Sequence, residues 1–317
     1  MAAKNGNTVI YSLQQTDNWN TLTVKEVAKP TTLKSGYASL TTVTVQDKTY
    51  LIGYSPTNAF LDFYEFTGSA PWIKAVSTKA QVGKGWDIII PFTNGNEPYV
   101  ACYTAKKGVF KLFSINNNLA TSAGSYEFFR NHEPSLTQGF ATVKTFTLFG
   151  SVIFLGYNFD NGYVATYSLS VTATSPAGVP PLLLTPTWAH KWAPGWTRFA
   201  FFQFGGENFF LKTNTDKPNV NIDHILDYLP NGTTEVATNL NDALKDAQSL
   251  DNVEPITLGS GNDPYFVTYM KKGGEMTLNR FHSDCMGWTT VASLTTKTGA
   301  TQIVPLTDGK NSFLLVQ

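Results

Sequence analysis

The sequence predicts an all-β fold, and three observations predict it. A unit of about fifty residues recurs along the chain, each unit holds strand patterns separated by polar turns, and the last unit lacks two strands that the N-terminal residues can supply. Repeats of this length with four short strands are typical of the blades of a β-propeller. The predicted architecture is a six-bladed β-propeller with four antiparallel strands in each blade.

A glycine followed by an aromatic residue opens four of the units. The pairs are Gly36-Tyr37, Gly85-Trp86, Gly139-Phe140 and Gly195-Trp196, at spacings of 49, 54 and 56 residues. The residues after each pair form the predicted innermost strand of a blade. A second strand of aromatic and aliphatic residues follows, as at 50–54 and 99–103, and the same pattern at 265–269 indicates a fifth unit without the opening pair.

The third and fourth strands complete the predicted blade. Third strands such as residues 108–115 and 162–169 alternate apolar and polar side chains with the period of two expected of a strand. The fourth, outer strand often carries a tryptophan, as at Trp72, Trp188 and Trp288. Four strands within each unit therefore account for one blade.

The two ends of the chain are predicted to share the sixth blade. Residues 299–317 supply only two strands, whereas residues 7–13 and 19–24 match the third and fourth strands of the other units. Pairing them removes the exposed sheet edges of an open ring. The predicted blades of this single domain are 36–84, 85–138, 139–194, 195–247, 248–298, and 299–317 together with 1–35.

Composition excludes several classes of partner. With 23 basic and 23 acidic residues the formal net charge is zero, so no overall field favours nucleic acid. The sequence has no apolar stretch long enough to insert into a membrane and no signal-peptide pattern, which predicts a soluble chain and leaves its compartment open. Cys102 and Cys285 are expected to be free thiols. The sequence leaves the oligomeric state open.

The candidate ligand-binding residues lie in loops on one face of the predicted propeller, those leading into the inner strands and those between the second and third strands. They are Tyr37, Trp86, Asp87, Phe140, Asp160, Trp196, Arg198 and Asp216. An aromatic plate beside carboxylate and guanidinium groups suits both the apolar face and the hydroxyl groups of a sugar. In the alternative interpretation, Trp86 and Trp196 turn inward and pack between adjacent blades.

The predicted architecture resembles a known family. A chain of 317 residues with six four-stranded, tryptophan-bearing blades is similar to the fungal and bacterial β-propeller lectins, among which the six-bladed fucose-binding lectins are nearest in size. The resemblance implies carbohydrate binding with a glycan as partner. Those lectins repeat an arginine and a glutamate in every cleft, whereas arginine occurs here only at Arg130, Arg198 and Arg280, so no residue role is transferred.

An enzyme is the alternative to a binding protein, and the sequence leaves that choice open while favouring the binding protein. No nucleophile elbow, phosphate loop or zinc-ligand spacing is present. The histidines occupy different places in the repeat, so neither a metal nor a cofactor is predicted: His132, His190, His224 and His282. Carboxylates on several blades leave no local motif, and those of Asp87, Asp160, Asp216 and Asp251 are candidates to face the axis.

The enzyme alternative is a protein that acts on a small molecule or glycan in the central channel, as a cyclase, pericyclase, glycosidase or lyase. A third hypothesis is a protein-interaction scaffold, which would use the proline-rich insertion at 175–181. Residues 239–247 have the apolar spacing of a short helix, with Asn239 or Asn241 as the capping residue, and a helix is predicted there.

Overall fold

The computed structural model describes residues 8–16, 21–116, 119–127, 139–171, 182–214, 219–228, 234–240, 250–258, 264–282 and 287–317. Every regular element among these residues is a β-strand. The 24 strands form six sheets of four antiparallel strands each. The prediction of an all-β, six-bladed propeller is confirmed.

The strands follow the chain in order, four to a blade, from blade one to blade six. The strands of blades one to three are β3 (Ser39–Val45), β4 (Lys48–Tyr54), β5 (Phe60–Phe66), β6 (Ile73–Gln81), β7 (Ile88–Asn94), β8 (Glu97–Thr104), β9 (Val109–Asn116), β10 (Leu119–Glu127), β11 (Thr142–Leu148), β12 (Ser151–Tyr157), β13 (Tyr163–Val171) and β14 (Leu182–Lys191). Those of blades four to six are β15 (Arg198–Phe204), β16 (Glu207–Asn214), β17 (Asn219–Tyr228), β18 (Thr234–Leu240), β19 (Asn252–Thr257), β20 (Pro264–Met270), β21 (Glu275–Phe281), β22 (Trp288–Thr295), β23 (Ile303–Thr307), β24 (Ser312–Val316), β1 (Val9–Gln15) and β2 (Leu22–Ala28).

The first strand of each blade lies innermost. Strands β3, β7, β11, β15, β19 and β23 each contact the inner strand of the next blade, and the ring closes from β23 back to β3. They surround a central channel. We call the face on which the inner strands begin the upper face; because the strands alternate in direction, it also carries the loops between second and third strands.

The sixth blade joins the two ends of the chain. β1 pairs with β24 in antiparallel register, with Val9 opposite Val316 and Leu13 opposite Ser312. The side-chain amide of Gln317 adds to this closure, because its Nε2 donates to Thr8 Oγ1 at 3.1 Å and to the carbonyl oxygen of Lys34 at 3.0 Å. The prediction that N-terminal strands close the last blade is confirmed.

The repeated glycine has a conformational role. The backbone angle φ lies between 74° and 97° at Gly36, Gly85, Gly139, Gly195 and Gly299. Residues with a side chain rarely adopt this conformation. After the first four of these glycines, the aromatic residue that follows turns into the interior. The ring of Tyr37 covers Gly53, where an added Cβ would lie 2.5 Å from the ring, and the ring of Phe140 covers Gly156 in the same way.

A tyrosine at the end of the second strand links each of four blades to the next. The hydroxyl oxygens accept hydrogen bonds from backbone N–H groups at the start of the following blade: Tyr54 from Trp86 at 3.1 Å, Tyr103 from Phe140 at 3.3 Å, Tyr157 from Trp196 at 3.3 Å and Tyr269 from Ala300 at 2.9 Å. The opening residue and the tyrosine thus form one repeated contact between blades.

In blade four, a buried ion pair occupies the position of the second strand that is equivalent to Gly53 and Gly156. Lys212 pairs in register with Phe199 as Gly53 does with Leu40, and its Nζ lies 2.8 Å from Asp223 Oδ2. The ammonium group also lies over the rings of Trp192 and Trp196, at 4.7 and 5.0 Å from their centroids. Burial lowers the pKa of Lys212 and raises that of Asp223, since it disfavours both charged forms.

The helix predicted at 239–247 does not begin at Asn239, and its alternative start at Asn241 lies outside the described residues. Asn239 and Leu240 belong to β18, and Leu240 pairs with Ile222 of β17. Strand pairing therefore overrides the local helical spacing at these two residues. The rest of that segment and the proline-rich insertion at 175–181 lie outside the described residues. No helix in the described ranges has the length and apolar character needed to cross a bilayer.

Candidate functional site

The upper half of the central channel forms a cavity of about 540 Å³. All six inner strands contribute to its wall, each through its first four residues or those just before them. A second cavity of about 260 Å³ lies at the same end, between blades three and six. Ligand pockets in proteins usually measure about 300–1,000 Å³, so the space suits a small molecule.

Three charged side chains line both cavities, each from a different blade: Lys144 on β11, Arg198 on β15 and Glu254 on β19. Lys144 and Glu254 are each the third residue of their inner strand and occupy equivalent positions. Arg198 begins the strand between them. Consecutive blades thus place two cations and one carboxyl group around the same space.

Hydrogen bonds to the backbone hold the guanidinium group of Arg198. Its Nε donates to the carbonyl oxygen of Asp251 at 2.9 Å, and its Nη1 donates to that of Thr197 at 3.2 Å. The first bond crosses from blade four to blade five. The positive charge is therefore fixed at the mouth of the channel, on the side from which Glu254 projects.

Burial raises the pKa of Glu254 above its ordinary value of 4.5. Loss of hydration disfavours the carboxylate and is the largest influence, whereas the positive charges of Lys144 and then Arg198 act in the opposite direction. A carboxyl group of raised pKa inside a cavity is a candidate for proton transfer, because it exchanges a proton more readily near neutral pH than an ordinary carboxyl group does.

The aromatic residues expected on the rim lie in the interior. Tyr37, Trp86, Phe140 and Trp196 are between 4% and 8% exposed. Trp86 donates its ring N–H to the carbonyl oxygen of Val82 at 3.0 Å. The structure therefore has the inward orientation that the sequence left as the alternative for Trp86 and Trp196, and no ring face of these four residues is presented as a plate for a sugar.

The polar residues expected at the site are placed differently from one another. Asp87 and Arg198 line the channel cavity, and Asp87 Oδ2 accepts a hydrogen bond from the Ala105 N–H at 2.7 Å. Asp160 is exposed in the loop after β12, away from the cavity lining. Asp216 lies outside the described residues. A ligand-binding role for any of the eight candidates remains a prediction.

Asp251, the remaining carboxylate expected near the axis, has a structural partner. Its Oδ2 accepts a hydrogen bond from the Lys271 N–H at 2.7 Å. Asp87 makes the equivalent bond in blade two, so these two carboxylates fix the loops after β8 and β20. Both carboxylates lie directly before the first residue of an inner strand.

The described histidines and cysteine have local contacts. His224 Nε2 lies 2.9 Å from Glu207 Oε2, His282 Nε2 lies 3.0 Å from Thr289 Oγ1, and the ring of His190 stacks on Trp188. No cluster of three metal-ligating side chains occurs among the described residues. Cys102 is a buried free thiol whose pKa is raised by burial, whereas His132 and Cys285 lie outside the described ranges.

Sequence reasoning missed Lys144 and Glu254. Both are single charged residues inside strands that otherwise read as alternating or apolar, and neither belongs to a local motif. The available signal was a charged residue at the same place in two aligned inner strands. Aligning residues 142–145 with 252–255 would have revealed it.

No protein family matches the sequence, and no curated protein matches it. Solved structures match in fold. A candidate 6-phosphogluconolactonase from Bacteroides fragilis has a TM-score of 0.54 and 15% identity, over 100% of this chain and 88% of that one. A second, from Bacteroides uniformis, has a TM-score of 0.51 and 11% identity, over 99% and 89%. The periplasmic gluconolactonase of Pseudomonas aeruginosa has a TM-score of 0.50 and 10% identity, over 92% and 96%.

These comparisons correct the prediction of function. At such low identity they establish the fold, which is that of a six-bladed propeller, and the similar structures are propeller enzymes rather than lectins. The burial of all four candidate aromatic residues agrees with this difference. The prediction of a carbohydrate-binding lectin is therefore wrong, and the enzyme alternative agrees better with these comparisons.

Proposed function

We propose that this protein is an enzyme that hydrolyses a small lactone at the upper end of its central channel. The observation that carries the proposal is the convergence of Glu254, a carboxyl group of raised pKa, with the cations Lys144 and Arg198. The gluconolactonase and the candidate 6-phosphogluconolactonases of similar fold support a lactone as the substrate class.

The proposed chemistry uses Glu254 as a general base. Its carboxylate accepts a proton from water while the water oxygen forms a bond to the lactone carbonyl carbon, and the carbonyl oxygen becomes an oxyanion. Lys144 and Arg198 stabilise that oxyanion inside the cavity, where charges interact more strongly than in bulk water. Collapse of the intermediate breaks the bond to the ring oxygen, which takes the proton from Glu254 and leaves a hydroxy acid.

The raised pKa of Glu254 sets the expected pH dependence. The base form is required, so the rate should rise as pH rises through the pKa of Glu254 in the free enzyme. That inflection is expected above 4.5, the ordinary value for a glutamate.

The substitution Glu254→Gln tests the proposal. Because the amide cannot accept the proton from water, kcat for lactone hydrolysis should fall on the order of a hundredfold to ten-thousandfold. The measurement is acid release from glucono-δ-lactone and δ-decalactone, followed with a pH indicator after subtraction of spontaneous hydrolysis. Far-UV circular dichroism of the variant establishes that the propeller is intact.

Glu97→Gln is the matched control. Glu97 is exposed at the start of β8 on the lower face, so its loss removes one carboxylate without touching the channel. Its rate should equal that of the parent. Equal rates in the parent and Glu254→Gln would rule out the proton-transfer role, and an absence of enzymatic hydrolysis for both lactones would rule out the substrate class.

A further inference from the structure

One position repeats on all six inner strands directly below the level of Lys144 and Glu254. Pro91, Pro255 and Pro305 occupy it in blades two, five and six, Phe201 in blade four, and Thr42 and Thr145 in blades one and three. All six are half-buried and line the channel cavity. Proline has no N–H group, so this level of the channel offers few hydrogen-bond donors.

The wall opposite Glu254 combines one carboxylate at the mouth with apolar side chains below it. In a closed ring of six blades, blade two lies across the channel from blade five, which carries Glu254. Blade two contributes Asp87 to the cavity lining at the mouth, and Ile88, Ile90 and Pro91 follow it into the channel. The charged side chains of the lining, Asp87, Lys144, Arg198 and Glu254, therefore come from blades two to five and lie toward the mouth, whereas the proline level below them carries three prolines, one phenylalanine and two threonines.

We infer that the substrate carries an apolar chain rather than the hydroxyl groups of a sugar, an inference that rests on the proposed lactone hydrolysis. The lactone ring lies beside Lys144, Arg198 and Glu254, and the chain extends down the channel along the proline level. The product, a hydroxy acid with an apolar chain, has the same division between an anionic head and a hydrophobic body.

Desolvation decides between the two kinds of lactone. Each methylene group that leaves water for an apolar wall favours binding by about fourfold. A sugar hydroxyl in the same place loses its hydrogen bonds to water and finds no partner on proline or isoleucine, which disfavours binding. The channel should therefore select an alkyl lactone over a polyhydroxylated lactone of similar ring size.

The test compares δ-decalactone with glucono-δ-lactone, which share the ring and differ in its substituents. The expected result is a kcat/KM at least roughly tenfold higher for δ-decalactone, as a few buried methylene groups would produce. Binding is measured separately by isothermal titration calorimetry with three probes: octanoate, gluconate and octylammonium. Octanoate should bind more tightly than gluconate, which lacks the chain, and than octylammonium, whose head has the opposite charge.

The double variant Pro255→Thr with Pro305→Thr tests the proline level itself. Blades one and three already carry threonine at this position, so the fold accommodates the change. The preference for δ-decalactone should fall by roughly fivefold or more, since two apolar surfaces become polar. Pro56→Thr is the control, because Pro56 is exposed in the loop after β4 and does not line the channel.

The outcomes separate this inference from the proposed function. Hydrolysis of glucono-δ-lactone in preference to δ-decalactone, lost in Glu254→Gln, would overturn the apolar chain and leave the hydrolase in place. Tight binding of octanoate without hydrolysis of either lactone would keep the amphiphilic ligand and overturn the hydrolase. A double variant with unchanged preference would show that the proline level does not contact the substrate.

Discussion

The carboxyl group of Glu254 is subject to two opposing influences. Burial in the channel raises its pKa, whereas Lys144 and Arg198 lower it, and burial is the larger effect. The two cations therefore have two roles in the proposed reaction. They favour the base form of Glu254, and they stabilise the oxyanion that forms when water attacks the carbonyl carbon.

The substitution Lys144→Met separates these two roles. Removing the positive charge should raise the pKa of Glu254 further, so the pH at which the rate reaches half its plateau moves upward. On the plateau, where Glu254 is fully ionised, kcat should still be lower on the order of a hundredfold because one oxyanion partner is missing. A pH–rate profile of lactone hydrolysis measures both effects.

Lys107→Met provides the comparison, since Lys107 is an exposed lysine in the loop after β8 on the upper face and does not line the cavity. Its profile should match that of the parent. If Lys144→Met lowered the plateau without moving the inflection, Lys144 would act on the substrate alone and its influence on Glu254 would be excluded.

Single residues of the site were only partly predictable from the sequence. Asp87 and Arg198 were expected on the upper face because they follow the glycine-aromatic motif, and both line the cavity. Lys144 and Glu254 lie two residues further into their strands than Arg198 does into β15, and no turn or motif marks them there. Their importance depends on which residues of three separate blades face one space, and periodicity within one blade does not contain that information.

At the scale of the element, the second strand of four of the six blades has a task beyond filling the core. Its terminal tyrosine reaches the first backbone N–H groups of the next blade, as Tyr157 does with Trp196. The same hydroxyl donates to the carbonyl oxygen of Ala193 at 2.8 Å. The aromatic residue that ends the strand therefore couples adjacent blades through polar groups as well as through packing.

Tyr157→Phe tests this coupling. The substitution keeps the ring but leaves the Trp196 N–H and the Ala193 carbonyl without the tyrosine hydroxyl, so the free energy of unfolding should fall by about 1–2 kcal/mol. Urea denaturation followed by tryptophan fluorescence measures the change. Tyr99→Phe is the control, because Tyr99 is half-buried and its hydroxyl makes no hydrogen bond within the described residues. A similar loss in both variants would argue against a specific link.

Elements were predicted well where strand pairing and local pattern agree. The second strands, the outer strands that carry Trp188 and Trp288, and the two strands at the N-terminus all follow from alternation and turn residues. The failure at Asn239 and Leu240 has the opposite cause. Their spacing suits a helix turn, but pairing with β17 satisfies their backbone groups and determines the structure there.

For the whole molecule, the repeat predicts the ring but not the site. Six similar blades require only the recurrent glycine, the buried aromatic residues and the paired strands, all of which recur in the sequence. The charged groups break that repeat, because they occur on the inner strands of blades three, four and five alone. A function that depends on departures from symmetry cannot be read from the symmetry itself.

Closure of the ring by strands from both ends leads to the last prediction. β1 lies between β2 and β24, so residues 1–28 complete the sheet of blade six and their removal would expose the whole edge of β24. A chain that begins at residue 29 should therefore aggregate or unfold, because a bare apolar edge strand pairs with other chains. Size-exclusion chromatography and far-UV circular dichroism measure this outcome.

A circular permutant separates the need for these strands from the need for closure. Residues 1–28 are moved behind Gln317, so that blade six is continuous. Side-chain contacts then join it to blade one, such as the packing of Phe313 against Phe66 and the hydrogen bond from Thr49 Oγ1 to the carbonyl oxygen of Thr307. This permutant should fold with the circular dichroism of the parent yet unfold faster in urea, because the ring can now open without breaking the ladder between β1 and β24. An unfolding rate equal to that of the parent would mean that the packing between blades, and not the shared sheet, holds the ring closed.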